Sequence, residues 1–572
     1  MPVKTAMYTA SPPAPYELNR VLDIEKRSIV SVLKSAHYQA IEQCDVLIIG
    51  GGVGGVAAAE SAAADGVNVI LVESTSALGG QFTSQLVPVP DENSHVAKVG
   101  GASSDRFRAL RTDIRNLYAE NSNYKTSASK NIGDCWVSSV SGMPSAWNSV
   151  INQRLAPYRA SGKIKQVYLR HQIQNVSLYS GSGNINYVDI VDLNDGSTKK
   201  IAPKMVIDAT EDGSLCYLAG TPTRVGQESR LAFNEPLAPE QNQPTWIQSF
   251  TYGFLLQWRS GQDSRRAIKP PEYDTFKKNG EYTLDYVYRG NNQPEFSVPY
   301  KVLESTRYTH IGVEKQYLPF WTYRRLLAAS SRVNGTSPAD DIALINWRGN
   351  DFHLENYINK SLDEQVRILK RGRNFAMGFA YWLQNECPRD GGEGFGYPEM
   401  QLYTNATGEC VDDDGFALHP YVRESRRIVA LQTLTSNDMT PLSETEPWGT
   451  VFPDSIGCAL YAIDIHPSVN EPHLLNSVAP YHIPLGSLIP KTGPQNLVAG
   501  SKNIGATRLA MASARMHPTE WLIGEVAGLL TSTAIKKDVM PKKLHSDPNL
   551  LDEFLKNVDN VGITRFWSKI RM

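Results

Sequence analysis

A run of glycines between two apolar strands constrains this chain more than any other feature. Cys44-Asp-Val-Leu-Ile-Ile49 reads as a short apolar strand that runs directly into Gly50-Gly51-Gly52-Val53-Gly54-Gly55. Gly50, Gly52 and Gly55 form a G-x-G-x-x-G pattern. The first glycine of such a pattern permits a tight turn, the second lets the backbone approach a pyrophosphate, and the third lets helix and strand pack closely. The run from Val56 to Ala64 is made mostly of small residues and predicts a helix whose N-terminal amides bind phosphate. Val67-Asn-Val-Ile-Leu-Val72 predicts a second strand ending at Glu73. That acid lies about 20 residues past the turn, where a carboxylate accepts hydrogen bonds from an adenosine ribose. A lone G-x-G-x-x-G is weak evidence, but here strand, turn, helix, strand and acid occur in order. The context predicts a dinucleotide site, with NAD and FAD both open at this point.

At 572 residues the chain exceeds one ordinary domain, and two lobes are the natural expectation. Residues 147–197 predict a helix and then several strands, with Gly181 and Gly183 at a hairpin turn. Lys204-Met-Val-Ile-Asp-Ala-Thr210 reads as a strand entering a turn and a short helix. Residues 221–480 are rich in Trp, Tyr, Pro and Asn and read as a separate lobe, with a helix from Asp363 to Glu386. The glycines from Gly391 to Gly396 lack a preceding strand and a following helix and read as a loop, so only one dinucleotide fingerprint is present. Residues 1–43 read as an N-terminal extension, helical from Glu17 to Gln43, and residues 536–572 as a tail of short helices. The formal net charge of −2 gives no electrostatic reason to expect nucleic acid. No stretch approaches a membrane span. Six cysteines occur without a C-x-x-C pair, which predicts reduced, mostly buried thiols, no metal site and a cytoplasmic setting.

Several stretches resemble the FAD-dependent oxidoreductases of the broad glutathione-reductase-like class, and more narrowly the family called "FAD dependent oxidoreductase". They are the turn above with Glu73-Ser74 and Leu78-Gly79-Gly80-Gln81; Val206-Ile-Asp208-Ala209-Thr210-Glu211-Asp212-Gly213; Arg423-Glu-Ser-Arg426-Arg427 with Ile463-Asp464-Ile-His466-Pro467; and Asn496-Leu-Val-Ala-Gly500 with Ser513-Ala-Arg515-Met-His517-Pro518-Thr519. The chain departs from the family pattern at Glu211, where Gly is usual, at Ser214, where Asp is usual, and at Glu525, where Gln is more frequent. The resemblance implies an α/β fold: a Rossmann-like FAD-binding domain of glutathione-reductase type with an inserted α+β substrate domain. The FAD-binding domain would comprise residues 44–220 and 481–535, with residues 221–480 inserted. It implies non-covalent FAD as cofactor, held by Gly50, Gly52, Gly54, Gly55, Glu73, Ser74, Gly79, Gly80, Gln81, Ala209, Thr210, Gly213, Gly500, Arg515, Pro518 and Thr519.

The same closing segment makes physical sense unaided. Pro518 suits the first turn of a helix. Gly524, Ala527 and Gly528 share one helical face, so another backbone could approach it closely. The positive helix N-terminus aimed at the flavin would stabilise its reduced, anionic ring, and His517 stands beside that helix start.

Flavin chemistry leaves binding, orientation and electrostatics to the protein. His466 is the candidate general base, because imidazole titrates near neutral pH; the alternative is a structural histidine held by Asp464. Arg423 and Arg426 are candidates to clamp a substrate carboxylate, against internal salt bridges. The clusters Asn346-Trp-Arg-Gly-Asn350-Asp351 and Gln248-Ser-Phe250-Thr-Tyr252 are further candidates for a pocket. The expected reaction is hydride transfer from a small polar metabolite, an alcohol, amine or amino-acid derivative, to FAD, which oxygen or another acceptor reoxidises. Alternatives are a flavin monooxygenase served by a separate reductase, and an FAD-binding protein without catalysis. There is no W-x-W-x-I-P segment, which disfavours a halogenase.

Overall fold

The computed structural model describes residues 41–97, 101–288, 296–310, 313–334, 340–469, 471 and 473–570. The helix expected from Glu17 to Gln43 falls almost wholly outside the described residues. β1 (Glu42–Ile49) is followed by α1 (Val53–Ala64) and β2 (Val69–Glu73). α2 (Asp105–Ala119) and α3 (Pro144–Ala160) precede β3 (Ile164–Leu169), β4 (His171–Leu178), β5 (Ile185–Asp192) and β6 (Thr198–Asp208). These strands form one sheet in the order β3-β2-β1-β6-β5-β4. β1, β2, β3 and β6 run parallel, while β4, β5 and the first half of β6 form an antiparallel meander. Gly183 turns the β4–β5 hairpin at φ +70°, as its place in the sequence predicts.

The inserted lobe holds β7 (Phe254–Trp258), β8 (Arg325–Leu327), β9 (Ile342–Ile345), α4 (Leu362–Asn385) and β10 (Met400–Leu402). Its sheet is antiparallel, in the order β8-β9-β7-β10. α4 starts in a capping box between Ser361 and Glu364 and packs through Phe375 and Phe379 onto Phe352 and Phe254. The glycines around Gly394 form a loop with positive φ at Gly392, Gly394 and Gly396.

β11 (Leu497–Ala499) then returns to the main sheet, parallel to the second half of β6, and α5 (His517–Lys536) and α6 (Pro548–Asn560) follow. α5 carries Pro518 in its first turn and lies along α1. That contact needs small residues. A Cβ on Gly524 would run into the Gly54 carbonyl, and one on Gly528 would stand 3.0 Å from the Ala58 Cα. One apolar core runs through both lobes. All six cysteines are free thiols, five of them buried. Among the described residues no helix is long and apolar enough to cross a membrane.

Candidate functional site

β1, β2 and β6 end together, with Ile49 level with Val72 and Asp208. Gly50, Glu73 and Ala209 therefore emerge at one edge of the sheet, the carboxyl ends where open α/β sheets bind ligands. A cleft opens there, lined by Gly50, Gly52, Glu73, Ser74, Gly80, Ala209 and Thr210. His171, Gln172 and Ile173 of β4 also line it, as do Ser84 and Gln85 and, from the inserted lobe, Tyr357, Leu369 and His419. The cleft thus spans from the sheet edge to the second lobe.

The turn is built by close backbone approach. Gly50 has φ +100°, and a Cβ there would run into the Ala209 carbonyl; a Cβ on Gly55 would meet the Gly50 carbonyl oxygen. Glu73 closes the turn from below, its Oε2 accepting from the Gly51 amide at 2.7 Å and its Oε1 from the Thr75 amide at 2.8 Å. Asp208, wholly buried, accepts from the Thr210 and Cys216 amides at 2.9 and 2.7 Å and so shapes the turn after β6.

Charge is concentrated beside the glycines. Lys502, with a side chain 1% exposed, pairs with Glu211 and stands 3.6 Å from Glu520. Burial alone would lower the Lys502 ammonium, but Glu211 and Glu520 hold it above its ordinary range. Glu520, in the first turn of α5, accepts from Gln81 at 2.5 Å and from Ser501 at 2.9 Å. The positive end of α5 therefore has a carboxylate of its own, which offsets the field expected there for a reduced flavin.

The structure separates the remaining sequence candidates. Gly54, Gly55 and Gly500 pack backbone on backbone, and a Cβ on Gly54 would run into the Gly500 carbonyl. Gly79 packs against Ile151, and Gly213 sits at φ +66° beneath Arg426. Gln81 bridges the Arg515 carbonyl and Glu520. Pro518 and Thr519 are buried in the first turn of α5. Arg515 donates to the Tyr421 hydroxyl at 2.6 Å and to the Asp464 carbonyl at 3.0 Å. None of these nine lines the cleft.

Arg423 and His466 belong to a buried ion network instead. Arg423 is 2% exposed and donates to Asp351 at 2.9 Å, to the Ser249 carbonyl at 2.8 Å and to Thr251 at 2.9 Å. The substrate clamp expected of Arg423 is thus an internal ion pair, and Arg426 likewise binds the Asp212 carbonyl and Asn359. His466 Nδ1 lies 2.6 Å from Asp351 and Nε2 lies 3.3 Å from Asp464. The ring is thus held between two carboxylates of the buried network, and it does not line the cleft. Burial would raise the Asp351 and Asp464 carboxyls, but Arg423 and His466 for the first, and His466, His473 and Arg515 for the second, hold both well below the usual range.

His419 is the histidine that the inserted lobe brings to the cleft, where β4 contributes His171, and no motif marked it. Its Nδ1 lies 2.8 Å from the Pro420 carbonyl. A carbonyl accepts, so Nδ1 carries the proton in the neutral ring and Nε2 is left as the acceptor. Glu211, Lys502 and β4 residues His171 to Ile173 were also missed. Only Glu211 gave a signal, as a departure from the family pattern. Glu525, another departure, is likewise answered by a cation: Arg106 donates to it at 2.8 Å.

A family model described as FAD dependent oxidoreductase matches residues 45–556. The chain belongs to the FAD dependent oxidoreductase family. It is an enzyme, and FAD is its cofactor. No curated protein matches it. Similar solved structures include a geranylgeranyl bacteriochlorophyll reductase-like protein from Thermoplasma acidophilum, 13% identical over 91% of this chain and 84% of that one, with a TM-score of 0.31. The myxobacterial chondrochloren halogenase is 16% identical over 39% of this chain and 46% of its own, with a TM-score of 0.23. L-Proline dehydrogenase from P. horikoshii is 18% identical over 34% of this chain and 27% of its own, with a TM-score of 0.16.

The residues of the cleft fit this cofactor. The glycine turn offers main chain without side chains for a diphosphate to approach. FAD's ribityl chain brings hydroxyl donors, and the cleft residue Gln85 has a buried Oε1 with no hydrogen-bond partner among the described residues. Gln81 Oε1, one turn away, is buried and unpartnered in the same way.

Proposed function

We propose that this oxidoreductase takes a hydride from a small polar metabolite, an alcohol, amine or amino-acid derivative, with FAD as the immediate acceptor. The fold it uses is of the glutathione-reductase type, with the inserted lobe as the substrate wall. The observation that carries this reading is the continuity of one cleft from the glycine turn to His419 and Tyr357 of the inserted lobe. When bound, FAD supplies the two-electron chemistry.

The chain's own residues have three tasks. The Gly52 amide and Glu73 hold the ADP half, with Ser74 and the β4 residues beside the adenine. Tyr357 and Leu369 exclude water from the reacting face. His419 Nε2 takes the proton of the substrate's O–H or N–H as the hydride leaves, with the Pro420 carbonyl holding the ring in the required tautomer. Asp351 and Asp464 keep His466 and Arg423 in place behind Tyr421. A single dinucleotide fingerprint supports a reaction driven by the substrate rather than by NAD(P)H, with oxygen or a separate protein as final acceptor. Six unpaired thiols support a reducing compartment such as the cytoplasm.

Anaerobic mixing of the purified flavoprotein with alcohols, amines and amino acids tests this. Loss of the flavin absorbance with one of these and no nicotinamide is the expected result. Rapid bleaching by NADPH alone, with no metabolite able to do the same, overturns it.

A further inference from the structure

Glu211 follows β6 in the turn after Asp208, and its side chain reaches the glycine turn. Its Oε1 lies 2.6 Å from where a Cβ on Gly52 would be and 3.2 Å from that of Gly80. Gly52 is the glycine that leaves room for a diphosphate, so this carboxylate lies on the approach to that seat. Oε1 is buried and has no hydrogen-bond partner among the described residues. Oε2 takes Lys502, which is also within 3.6 Å of Glu520. The cluster therefore holds two carboxylates and one ammonium.

We propose that Glu211 and Lys502 set how tightly this chain holds the diphosphate of FAD, Glu211 opposing it and Lys502 favouring it. The proposal rests on the reading that the diphosphate lies against the main chain at Gly52. Like charges brought together out of water repel far more strongly than in solvent. A diphosphate beside Glu211 and Glu520 is tolerable because Lys502 offsets one of the two carboxylates. Removing Lys502 leaves two buried carboxylates against an anion. Replacing Glu211 by glutamine keeps the shape, puts an amide donor in reach of the diphosphate and removes one negative charge. Removing both charges returns the cluster to its original balance.

The test uses the full-length flavoprotein, with FAD released on dilution followed by fluorescence and ADP measured as a competitor. ADP shares the diphosphate and lacks the flavin. Glu211→Gln is expected to tighten FAD and ADP at least tenfold, by the same factor. Lys502→Met is expected to weaken both at least a hundredfold, and the double variant Glu211→Gln/Lys502→Met to return within a fewfold of the original protein. Glu211→Gln that weakens FAD and leaves ADP unchanged overturns the proposal, because Glu211 would then serve the ribityl chain. Unchanged affinity for both ligands overturns it too. If Lys502→Met fails to fold by circular dichroism, Glu211→Gln and the double variant still decide the matter. If the original protein takes up neither FAD nor ADP, it is the placement of the cofactor that fails.

Discussion

The α1–α5 contact and the ion network around Asp351 are both buried, yet they are built in opposite ways. In the first, Gly54, Gly524 and Gly528 bring main chain against main chain. In the second, Arg423, Asp351, His466, Asp464 and Arg515 form an unbroken run of polar contacts in which two arginines and a histidine meet two carboxylates. The glycine contact has no slack for added atoms, whereas the network has no slack for lost ones. A buried ion pair contributes little net stability, because the gain in attraction barely offsets desolvation, but breaking one strands a charge. Of the two, the network is the more vulnerable to truncation and the glycine contact to enlargement.

The largest effect is expected from Asp351→Ala, which leaves Arg423 and His466 facing a void. Chemical denaturation should show a loss of about 3–5 kcal/mol. A loss below about 1 kcal/mol would show that water enters and solvates the pair, and the contrast between the regions would weaken. Next comes Gly524→Ala, whose new methyl has no space against the Gly54 carbonyl. A loss of about 3 kcal/mol, the upper end for an overpacked core, should accompany a lower flavin content.

A third prediction lies where the closing helix begins. His517 is wholly buried, and burial pushes it down to about 4 from 6.5. Between those values the unfolded chain binds a proton that the folded one refuses. This contribution is therefore complete above pH 6.5 and is lost as the pH falls toward 4. By pH 5 the stability should be lower by about 2 kcal/mol, and His517→Gln should remove that part of the pH dependence. Thermal unfolding from pH 7 to 4.5 gives the answer. An identical slope in both proteins would place His517 outside the titration. The smallest effect is expected from Ser361→Ala, which removes the cap of α4 in a region of neither kind. A loss of about 1 kcal/mol, with no change in flavin content, would mark the baseline for a local device.

Much of the fold was legible because it repeats local rules. Cys44 to Glu73 announces strand, turn, helix and strand by spacing alone, and α4 and the β4–β5 hairpin follow from periodicity and turn glycines. The closing helix was legible in the same way, through Pro518 and the spacing of Gly524 and Gly528. Of the residues expected to hold the cofactor, Gly50, Gly52, Glu73, Ser74, Gly80, Ala209 and Thr210 line the cleft. Arg423 and His466 were recognisable as polar groups worth noticing, but their partners were not: Asp351 lies 115 residues from His466. His419 carries no motif, and its tautomer depends on the carbonyl of the next residue, a matter of backbone direction.

By itself the sequence determined a glycine turn between two parallel strands, with main chain left open at the edge of the sheet. Glycine spacing specifies which backbone atoms can approach one another, and that information is local. Only the tertiary structure decided which charges face that seat. Glu211 and Lys502 are 291 residues apart and meet because β6 and β11 end side by side. Coulomb energy depends on distance and burial in space, and neither is written in the order of residues.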